Sequence, residues 1–277
     1  MKLPAPAKVN LHLRILGQRA DGFHDIETLM VPITLSDQIT VETSLGRTVR
    51  VFCDNPDVPL GEHNLAARAA QEFSRQTGRH FAARIDIQKR IPMGAGLGGG
   101  SSDAAAVLIA LDAIFETRLG VTELQRLAAH LGSDVPFFIR RNPAWCRGRG
   151  EIIEPCELPE KLPLLLIKPS FGVETPWAYK HWAAARELPG GFEKEQDLGW
   201  VKVFNSLECP VFEKFLVLPV MKRWLLEQPG VRVAAMSGSG STMFAVLQAG
   251  ASGESLAERV KEHFGPGLWT AVCETLE

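Results

Sequence analysis

The stretch IPMGAGLGGGSSDAAA, residues 91–106, decides how the rest of the chain is interpreted. It places five glycines and two serines directly before a run, residues 103–115, that is apolar on almost every side. Each glycine loses backbone entropy on folding, so such a cluster indicates either a disordered linker or a place where a ligand approaches the backbone closely. The flanking sequences distinguish between these two possibilities.

Both flanks of this glycine loop have the patterns of regular structure. Residues 83–91, ARIDIQKRI, alternate in polarity like a strand, with Ile85, Ile87 and the aliphatic part of Lys89 on one side. Residues 103–115, DAAAVLIALDAIF, predict a helix whose start is buried. A strand, a glycine loop and a buried helix predict an anion site, because free N–H groups and the helix dipole face the ligand there. A linker or a plain tight turn fits this context less well.

The loop differs from two common nucleotide-binding loops. Gly94, Gly96 and Gly99 match the dinucleotide fingerprint, but that motif follows a fully buried strand and meets an acidic residue at the end of the next strand. Here the downstream acids Asp112 and Glu116 lie inside or at the end of the predicted helix. A Walker loop needs Gly-Lys-Ser/Thr, and this loop contains no lysine. Backbone N–H groups and serine hydroxyls would therefore hold a phosphate, and positive charge must come from elsewhere.

Length and composition limit the possible functions. The chain has 277 residues, which predicts one large domain or two modest ones. It is 45% hydrophobic and 22% charged with a formal net charge of −2, which argues against a general nucleic-acid binder. Its apolar runs are too short for a membrane span, and prolines with Asn10 interrupt the region where a signal peptide needs an apolar core. Five cysteines without metal-ligand spacing predict neither disulfides nor structural zinc, so we expect a cytoplasmic location.

The sequence pattern changes after a proline-dotted stretch, PCELPEKLP, at residues 155–163. This stretch is the predicted domain boundary, giving domains 1–157 and 158–277. The elements predicted in the first domain are strands at 7–16, 38–43 and 48–53, a helix at 64–76, and the strand and helix that flank the glycine loop. A further helix is predicted at 122–130, and Thr122 with Gln125 resembles a capping box at its start. The sequence of the second domain predicts a strand, then helices, two strands, a helix and a last strand, which is the order of a ferredoxin-like unit.

The loop sequence PMGAGLGGGSSDAAA, residues 92–106, resembles the second motif of the GHMP kinases, Pro-x-x-x-Gly-Leu-Gly-Ser-Ser-Ala. This superfamily includes galactokinase and the homoserine, mevalonate and phosphomevalonate kinases. Residues 5–30, 131–139 and 236–247 are similar to further sequence motifs of one family within this superfamily, so the resemblance covers essentially the whole chain. The Gly-Glu-His-x-Asp block of galactokinases is absent. The resemblance implies an α+β fold with a ribosomal-S5-like, ATP-binding N-terminal domain, a ferredoxin-like C-terminal domain and an active site in the cleft between them.

The resemblance also implies an activity, the ATP-dependent phosphorylation of the 2-hydroxyl of a cytidine-diphosphate-linked methylerythritol in non-mevalonate isoprenoid synthesis. Mg²⁺ is expected with ATP, although no acidic residue has the spacing of a ligand. The expected partner is the small-molecule substrate that carries cytidine diphosphate, with no nucleic acid, no membrane and a monomer or weak homodimer. Two alternatives stay open: another GHMP kinase for a different small alcohol, and a non-catalytic nucleotide-binding protein on the same scaffold.

Lys8 and Asp134 are the candidate catalytic residues. Phosphoryl transfer requires positioning, charge stabilisation and a group that takes the hydroxyl proton. Taken alone, Asp134 fits a turn or helix cap, and Lys8 fits a surface lysine whose ammonium reaches solvent. The resemblance implies instead that Lys8 and Asp134 form a catalytic pair in which Asp134 is the base. Lys8 would keep the pair in place and offset charge on the transferring phosphoryl group. A regulatory protein would have no need of the proton acceptor.

The remaining site residues are also implied by the resemblance. The predicted ATP contacts are Pro92, Met93, Gly94, Ala95, Gly96, Leu97, Gly98, Gly99, Gly100, Ser101 and Ser102, with Asn64 and Lys89 around the adenosine. Phe23 is expected to stack on the acceptor's base and His24 to bond its edge. Phe23 departs from the family, in which tyrosine is usual, so a hydroxyl contact is lost. The further predicted acceptor contacts are Asn10, Thr175, Pro176, Tyr179, Gly238 and Ser239, of which the last two also fit a hairpin turn.

Overall fold

The computed structural model describes residues 1–186 and 194–277, and its regular elements within these ranges are twelve strands and eight α-helices. The strands are β1 (Lys2–Gln18), β2 (His24–Ser44), β3 (Val49–Cys53), β4 (Ala82–Gln88), β5 (Ala144–Gly148), β6 (Ile152–Pro155), β7 (Pro163–Lys168), β8 (Gln196–Asp197), β9 (Lys202–Asn205), β10 (Val231–Met236), β11 (Met243–Leu247) and β12 (Trp269–Glu274). The helices are α1 (Leu65–Thr77), α2 (Gly99–Phe115), α3 (Gly120–Ala129), α4 (Phe137–Arg140), α5 (Thr175–Trp182), α6 (Glu208–Lys214), α7 (Val217–Leu226) and α8 (Gly253–Phe264). None of these helices is both long and apolar enough to cross a membrane.

The chain forms two compact units whose segments alternate along the sequence. The first unit comprises Met1–Ala7, Leu35–Met93 and Gly98–Asn142. The second unit comprises Lys8–Thr34, Gly94–Leu97 and Pro143–Glu277. The strands β1 and β2 and the glycine loop therefore contribute residues to both units. The domain boundary predicted between residues 157 and 158 stays a prediction.

In the first unit, helices pack beside a small sheet. The second half of β2 pairs with β4 in antiparallel fashion, and β4 pairs with β3 in parallel fashion. The helix α1 packs against α2, β3 and β4, which buries Phe73 completely. The predicted strands at 38–43, 48–53 and 83–91 are confirmed by this sheet, although β4 ends at Gln88.

Two helix starts in this unit differ from the sequence-based expectation. The helix α2 begins at Gly99 rather than at Asp103, because glycine and serine residues at its start adopt helical backbone geometry without needing a capping side chain. The capping box predicted for Thr122 and Gln125 is wrong. The helix α3 begins at Gly120, and no side chain makes a capping hydrogen bond there.

In the second unit, the main layer is a four-stranded antiparallel sheet in the order β10-β11-β7-β12. This order, with α5 to α7 before β10 and α8 before β12, is the predicted ferredoxin-like unit and confirms that prediction. The sheet also packs with β1 and β2, because Leu13, Ile15 and Ile26 belong to the same buried cluster as Leu165 and Phe212. The short strands β8 and β9 lie between α5 and α6 in the sequence.

The strand β1 is buried on both faces, whereas its alternating sequence predicts a half-buried strand. Val9 and Leu11 are fully buried, as the alternation predicts. Lys8, Asn10 and His12 point to the opposite face and are at most 7% exposed. These polar side chains can be buried because each of them makes a hydrogen bond. The polar face of β1 carries two of the predicted site residues.

Candidate active site

Lys8 is held by acceptors on β1 and on the glycine loop. Its Nζ donates to Asn10 Oδ1 at 2.6 Å and to Gly96 O at 2.8 Å. Its backbone N–H donates to Leu97 O at 3.0 Å. Because the residue is only 3% exposed, the alternative of a surface lysine that reaches solvent is excluded. The second unit therefore holds an ammonium group in a defined position.

The backbone carbonyls of Ala95 and Gly96 are held by hydrogen bonds within the second unit. The Thr242 N–H donates to Ala95 O at 3.3 Å, and Ser237 Oγ donates to Gly96 O at 3.1 Å. Gly96 has a φ of 73°, and a Cβ at this position would collide with the Ser237 carbonyl. A close approach of two backbones and a left-handed conformation therefore both require glycine here.

The predicted acceptor residue Gly238 lies directly against Lys8. A Cβ on Gly238 would come within 3.0 Å of Lys8 Nζ and 3.3 Å of Asn10 Oδ1. Gly238 lies between the paired strands β10 and β11, so this segment is a strand connection as well as a neighbour of Lys8. Ser239 Oγ lies 2.8 Å from Thr175 Oγ1, at the start of α5. The structure thus brings Asn10 and Gly238 against the Lys8 ammonium and pairs Thr175 with Ser239.

Two buried polar residues that the sequence analysis did not single out hold this connection in place. Asn205 Nδ2 donates to Met236 O at 2.7 Å and to Gly238 O at 2.8 Å. Glu208 Oε1 accepts from the Met236 N–H at 2.8 Å, and Glu208 Oε2 accepts from Lys222. Asn205, Glu208 and Lys222 are at most 3% exposed. The signal in the sequence is the presence of polar residues within an otherwise apolar run, residues 201–212.

Aromatic rings gather at His24. The ring of Tyr179 lies 5.4 Å from that of His24, and Trp182 meets His24 edge-on at 5.9 Å. Trp182 was not predicted, although it follows Tyr179 by three residues and so shares a face of α5. Phe23 is 51% exposed, and the Arg149 guanidinium lies 4.7 Å from the centre of its ring. The second unit contains all the predicted acceptor residues: Asn10, Phe23, His24, Thr175, Pro176, Tyr179, Gly238 and Ser239.

The later part of the glycine loop begins α2 in the first unit. Gly98 is the N-cap with a φ of 72°, and no side chain caps the helix. The N–H groups of the first turn, from Gly99 to Ser101, have no acceptor within the helix. No acidic residue lies in this turn. The hydroxyl of Ser102 is buried and has no hydrogen-bond partner in the described part of the chain. A phosphate group fits this helix start because it would accept from the free N–H groups.

The side chain of Lys89 is buried between two carboxylates near this helix start. Its Nζ donates to Asp37 Oδ2 and, at 3.0 Å, to Asp103 Oδ2. Asp37 Oδ1 also accepts from the backbone N–H groups of Arg90 and Ile91, at 2.6 and 2.9 Å. Burial acts to lower the pKa of Lys89, but the two carboxylates outweigh it and the pKa is raised. The ammonium is part of the fold, and its predicted contact with adenosine stays a prediction.

Asp103 is the less well satisfied of these two carboxylates. Burial raises the pKa of Asp103 to about 7, an effect that Lys89 opposes and Asp37 reinforces. Asp103 Oδ1 is buried and has no hydrogen-bond partner among residues 1–186 and 194–277. Asp37, by contrast, accepts from two backbone N–H groups as well as from Lys89. Asp103 is therefore the carboxylate whose charge has fewer hydrogen-bond donors to stabilise it.

Asp134 and Asn64 also lie in the first unit. Asp134 is half-buried in the turn before α4, where Pro136 holds the N-cap position and no side chain makes a capping bond. The helix-cap alternative for Asp134 is therefore not supported. Asn64 caps α1 by accepting from the Ala66 N–H at 2.8 Å and donates to Pro59 O at 2.8 Å. The other predicted ATP residues of this unit are Lys89, Pro92, Met93, Gly98, Gly99, Gly100, Ser101 and Ser102.

The described residues offer no ready-made metal centre. Across residues 1–186 and 194–277, no group of three or more His, Cys, Asp or Glu side chains is arranged to hold a metal ion. We therefore assign no protein ligand to the expected Mg²⁺.

The chain is similar to known proteins over nearly its whole length. The model of the GHMP kinases N-terminal domain matches residues 64–142, and that of the GHMP kinases C-terminal domain matches residues 181–265. A 4-diphosphocytidyl-2-C-methyl-D-erythritol kinase of Methylacidiphilum infernorum (isolate V4) is 43% identical, with 99% of this chain and 96% of the relative covered. The enzyme of that name from Anaeromyxobacter dehalogenans (strain 2CP-C) is 44% identical, with 91% and 83% covered.

Solved structures give the same result. A crystal structure of 4-(cytidine 5'-diphospho)-2C-methyl-D-erythritol kinase matches with a TM-score of 0.77 and 36% identity, covering 99% of both chains. The Methanococcus jannaschii mevalonate kinase matches with a TM-score of 0.66 at 13% identity, over 100% of this chain and 98% of that one, and shows the fold alone. These matches confirm the predicted two-domain GHMP-kinase fold. Because close relatives cover nearly its whole length, the chain belongs to the 4-diphosphocytidyl-2-C-methyl-D-erythritol kinase family of GHMP kinases.

Proposed function

We propose that this protein transfers the γ-phosphoryl group of ATP to the 2-hydroxyl of 4-diphosphocytidyl-2-C-methyl-D-erythritol, giving the 2-phosphate and ADP. Its family supports the reaction, which is a step in isoprenoid precursor synthesis. The observation that carries the proposal is the buried Lys8 ammonium, held by Asn10 and Gly96 and covered by Gly238. A lysine fixed in this way can stabilise the negative charge of a phosphoryl group during transfer.

We place the phosphates of ATP at the start of α2. The N–H groups of Gly99, Gly100 and Ser101 are free to donate, and the helix dipole favours an anion there. The buried hydroxyl of Ser102 would gain a partner when a phosphate oxygen binds. When bound, ATP supplies the phosphoryl group. We expect Mg²⁺ to accompany ATP.

Asp134 is the proposed proton acceptor. It is half-buried in a turn and is not needed as the N-cap of α4. As the 2-hydroxyl oxygen bonds to the γ-phosphorus, its proton passes to the Asp134 carboxylate and the bond from phosphorus to ADP breaks. Lys8 is proposed to offset the charge that develops on the reacting oxygens.

The aromatic residues around His24 are the proposed cytosine site. Phe23 is exposed enough for a base to stack on its ring, and Tyr179 with Trp182 holds the His24 ring in place. Stacking of a base on an aromatic side chain contributes about 1–3 kcal/mol. Leaving the half-buried His24 imidazole without a partner on the base would weaken binding of a base-free substrate further. The site should therefore select for cytidine.

The proposal is tested by measuring ADP release with a panel of alcohols. The panel contains the cytidine-linked acceptor, methylerythritol phosphate without the base, homoserine and mevalonate, and phosphorus NMR identifies the product. We expect turnover with the cytidine-linked acceptor and a kcat/KM that is at least about tenfold lower without the base. Phe23→Ala should raise the KM of the acceptor and leave that of ATP unchanged. Equal activity without the base would indicate a kinase for another small alcohol. ATP binding without turnover would indicate a non-catalytic protein.

A further inference from the structure

A chain of buried hydrogen bonds connects Lys8 with the neighbouring strand β2. Lys8 Nζ donates to Asn10 Oδ1 at 2.6 Å, and Asn10 Nδ2 donates to Thr28 Oγ1 at 2.8 Å. The Thr28 hydroxyl in turn donates to His12 O at 2.6 Å. Lys8, Asn10 and Thr28 are each at most 3% exposed, so water does not compete for these bonds. The path begins at a reactive ammonium and ends at a backbone carbonyl that cannot move independently of β1.

The bond to His12 decides the direction of the other bonds. A threonine hydroxyl has one hydrogen, and a carbonyl oxygen can only accept, so the Thr28 hydrogen is committed to His12 O. Thr28 can therefore meet Asn10 only as an acceptor, which requires the NH₂ side of the Asn10 amide to face it. The oxygen of the amide then faces Lys8. The hydroxyl of Thr28 thus orients the amide that receives the lysine.

We propose that Thr28 is a positioning residue for phosphoryl transfer, which acts by fixing the Asn10 amide so that its oxygen holds the Lys8 ammonium. This inference rests on the proposed function, in which Lys8 stabilises the transferring phosphoryl group. Lysine has a flexible four-carbon stem and a freely rotating ammonium, so its aim depends on the acceptors around it. Asn10 is one of these acceptors, and its own orientation depends on Thr28.

The test compares two substitutions at Thr28. Thr28→Val keeps the shape of the side chain and removes the hydroxyl, which leaves the Asn10 NH₂ without its acceptor. We expect kcat to fall about tenfold to a hundredfold, by analogy with the loss of a residue that orients a metal ligand, with the KM of ATP unchanged. Thr28→Ser keeps the hydroxyl and should restore kcat to near the parent value. If circular dichroism shows that Thr28→Val does not fold, Thr28→Ala serves as the variant without a hydroxyl.

Thr275→Val is the matched control. Thr275 is 1% exposed, as Thr28 is, and belongs to the same unit. Its hydroxyl accepts from the Leu162 N–H at 3.0 Å, far along the chain from the glycine loop. This variant should lower the melting temperature without lowering kcat. It separates the general effect of losing a buried hydroxyl from an effect on Lys8.

A second comparison asks whether Thr28 acts through Lys8. In a Lys8→Met background, adding Thr28→Val should cause no further loss of kcat, because the group that Thr28 positions is already absent. A further loss as large as that in the parent background would overturn the proposal. An unchanged kcat in Thr28→Val alone, in an active parent enzyme, would also overturn it.

A measurement without substrate keeps this inference separate from the proposed function. The ammonium of Lys8 should give a resolved ¹⁵N signal, identified by its absence in Lys8→Met, because buried and hydrogen-bonded protons exchange slowly. We expect this signal to be lost or broadened in Thr28→Val and retained in Thr28→Ser and Thr275→Val. A signal that persists unchanged in Thr28→Val overturns the positioning role. An inactive parent that shows the expected signals contradicts only the proposed reaction.

Discussion

Asp103 and Asp37 share the Lys89 ammonium, but the two carboxylates differ in their other partners. Burial raises the pKa of Asp103 to about 7, while an unfolded aspartate titrates near 4. Between these values the folded protein holds a proton that the unfolded chain releases. The free energy of unfolding should therefore decrease as the pH rises from about 4 to about 7.

Asp103→Asn should remove this pH-dependent part of the free energy of unfolding, because asparagine keeps an oxygen for Lys89 and does not titrate. We expect the parent to lose stability relative to this variant as the pH rises from about 4 to about 7. Urea unfolding at several pH values measures the difference directly. Identical pH dependence in the two proteins would show that Asp103 is ionised in the folded state throughout this range.

Asp134 provides a second test at the scale of one residue. Asp134→Asn should lower kcat by about 10²–10⁴-fold, because general-base catalysis by a positioned side chain contributes that much. ATP affinity should stay near the parent value, as measured by calorimetric titration. A fall in both ATP affinity and melting temperature, without a selective loss of kcat, would assign Asp134 a structural role in its turn.

At the scale of one element, the glycine loop combines residues that require glycine with residues that do not. Gly96 is left-handed, and its Cα faces the Ser237 carbonyl. Gly100 has helical geometry, and a Cβ there would meet only Leu65 Cδ1, at an ordinary 3.8 Å. The sequence predicts the loop, the flanking strand and the buried helix, because local periodicity encodes them. It does not distinguish these glycines, because the difference arises from residues more than one hundred positions away.

Gly96→Ala and Gly100→Ala should therefore have different effects on stability. The left-handed conformation costs about 1–2 kcal/mol for alanine, and the contact with Ser237 adds to this in Gly96→Ala. In Gly100→Ala the melting temperature should be kept or raised, because alanine favours a helix over glycine by about 0.5–1 kcal/mol. Thermal unfolding measures the melting temperatures of both variants against that of the parent. Equal losses of stability would show that Ser237 is not held against Gly96 in solution.

At the scale of the whole molecule, the chain order and the compact units do not coincide. The proline-dotted stretch at residues 155–163 predicts a boundary near residue 157, and the family models match on either side of it. Yet Leu13, Ile15 and Ile26 pack in the same core cluster as Leu165 and Phe212. A local pattern shows that a strand is apolar but not which distant segment covers it. The polar partners Asn205 and Glu208 were missed for the same reason.

This packing predicts that the chain cannot be divided at residue 157. A fragment of residues 158–277 would expose the side of its core that Leu13, Ile15 and Ile26 cover, so it should be aggregated or only partly structured. Co-expression with residues 1–157 should yield a soluble complex. Gel filtration and circular dichroism of each fragment measure the outcome. A monomeric 158–277 fragment with cooperative unfolding would establish the predicted boundary as that of an autonomous domain.

The contacts of residues 94–97 have a consequence for the timing of catalysis. A segment rich in glycine ordinarily moves on the nanosecond to microsecond scale. Here the carbonyls of Ala95, Gly96 and Leu97 all accept hydrogen bonds, from Thr242, Ser237 and Lys8. The carbonyls of residues 95–97 are thus held before any ligand arrives, so a nucleotide bound there, as we propose, would need no closing step of this segment. The pace of the enzyme is then set by the chemical step, by product release or by other segments.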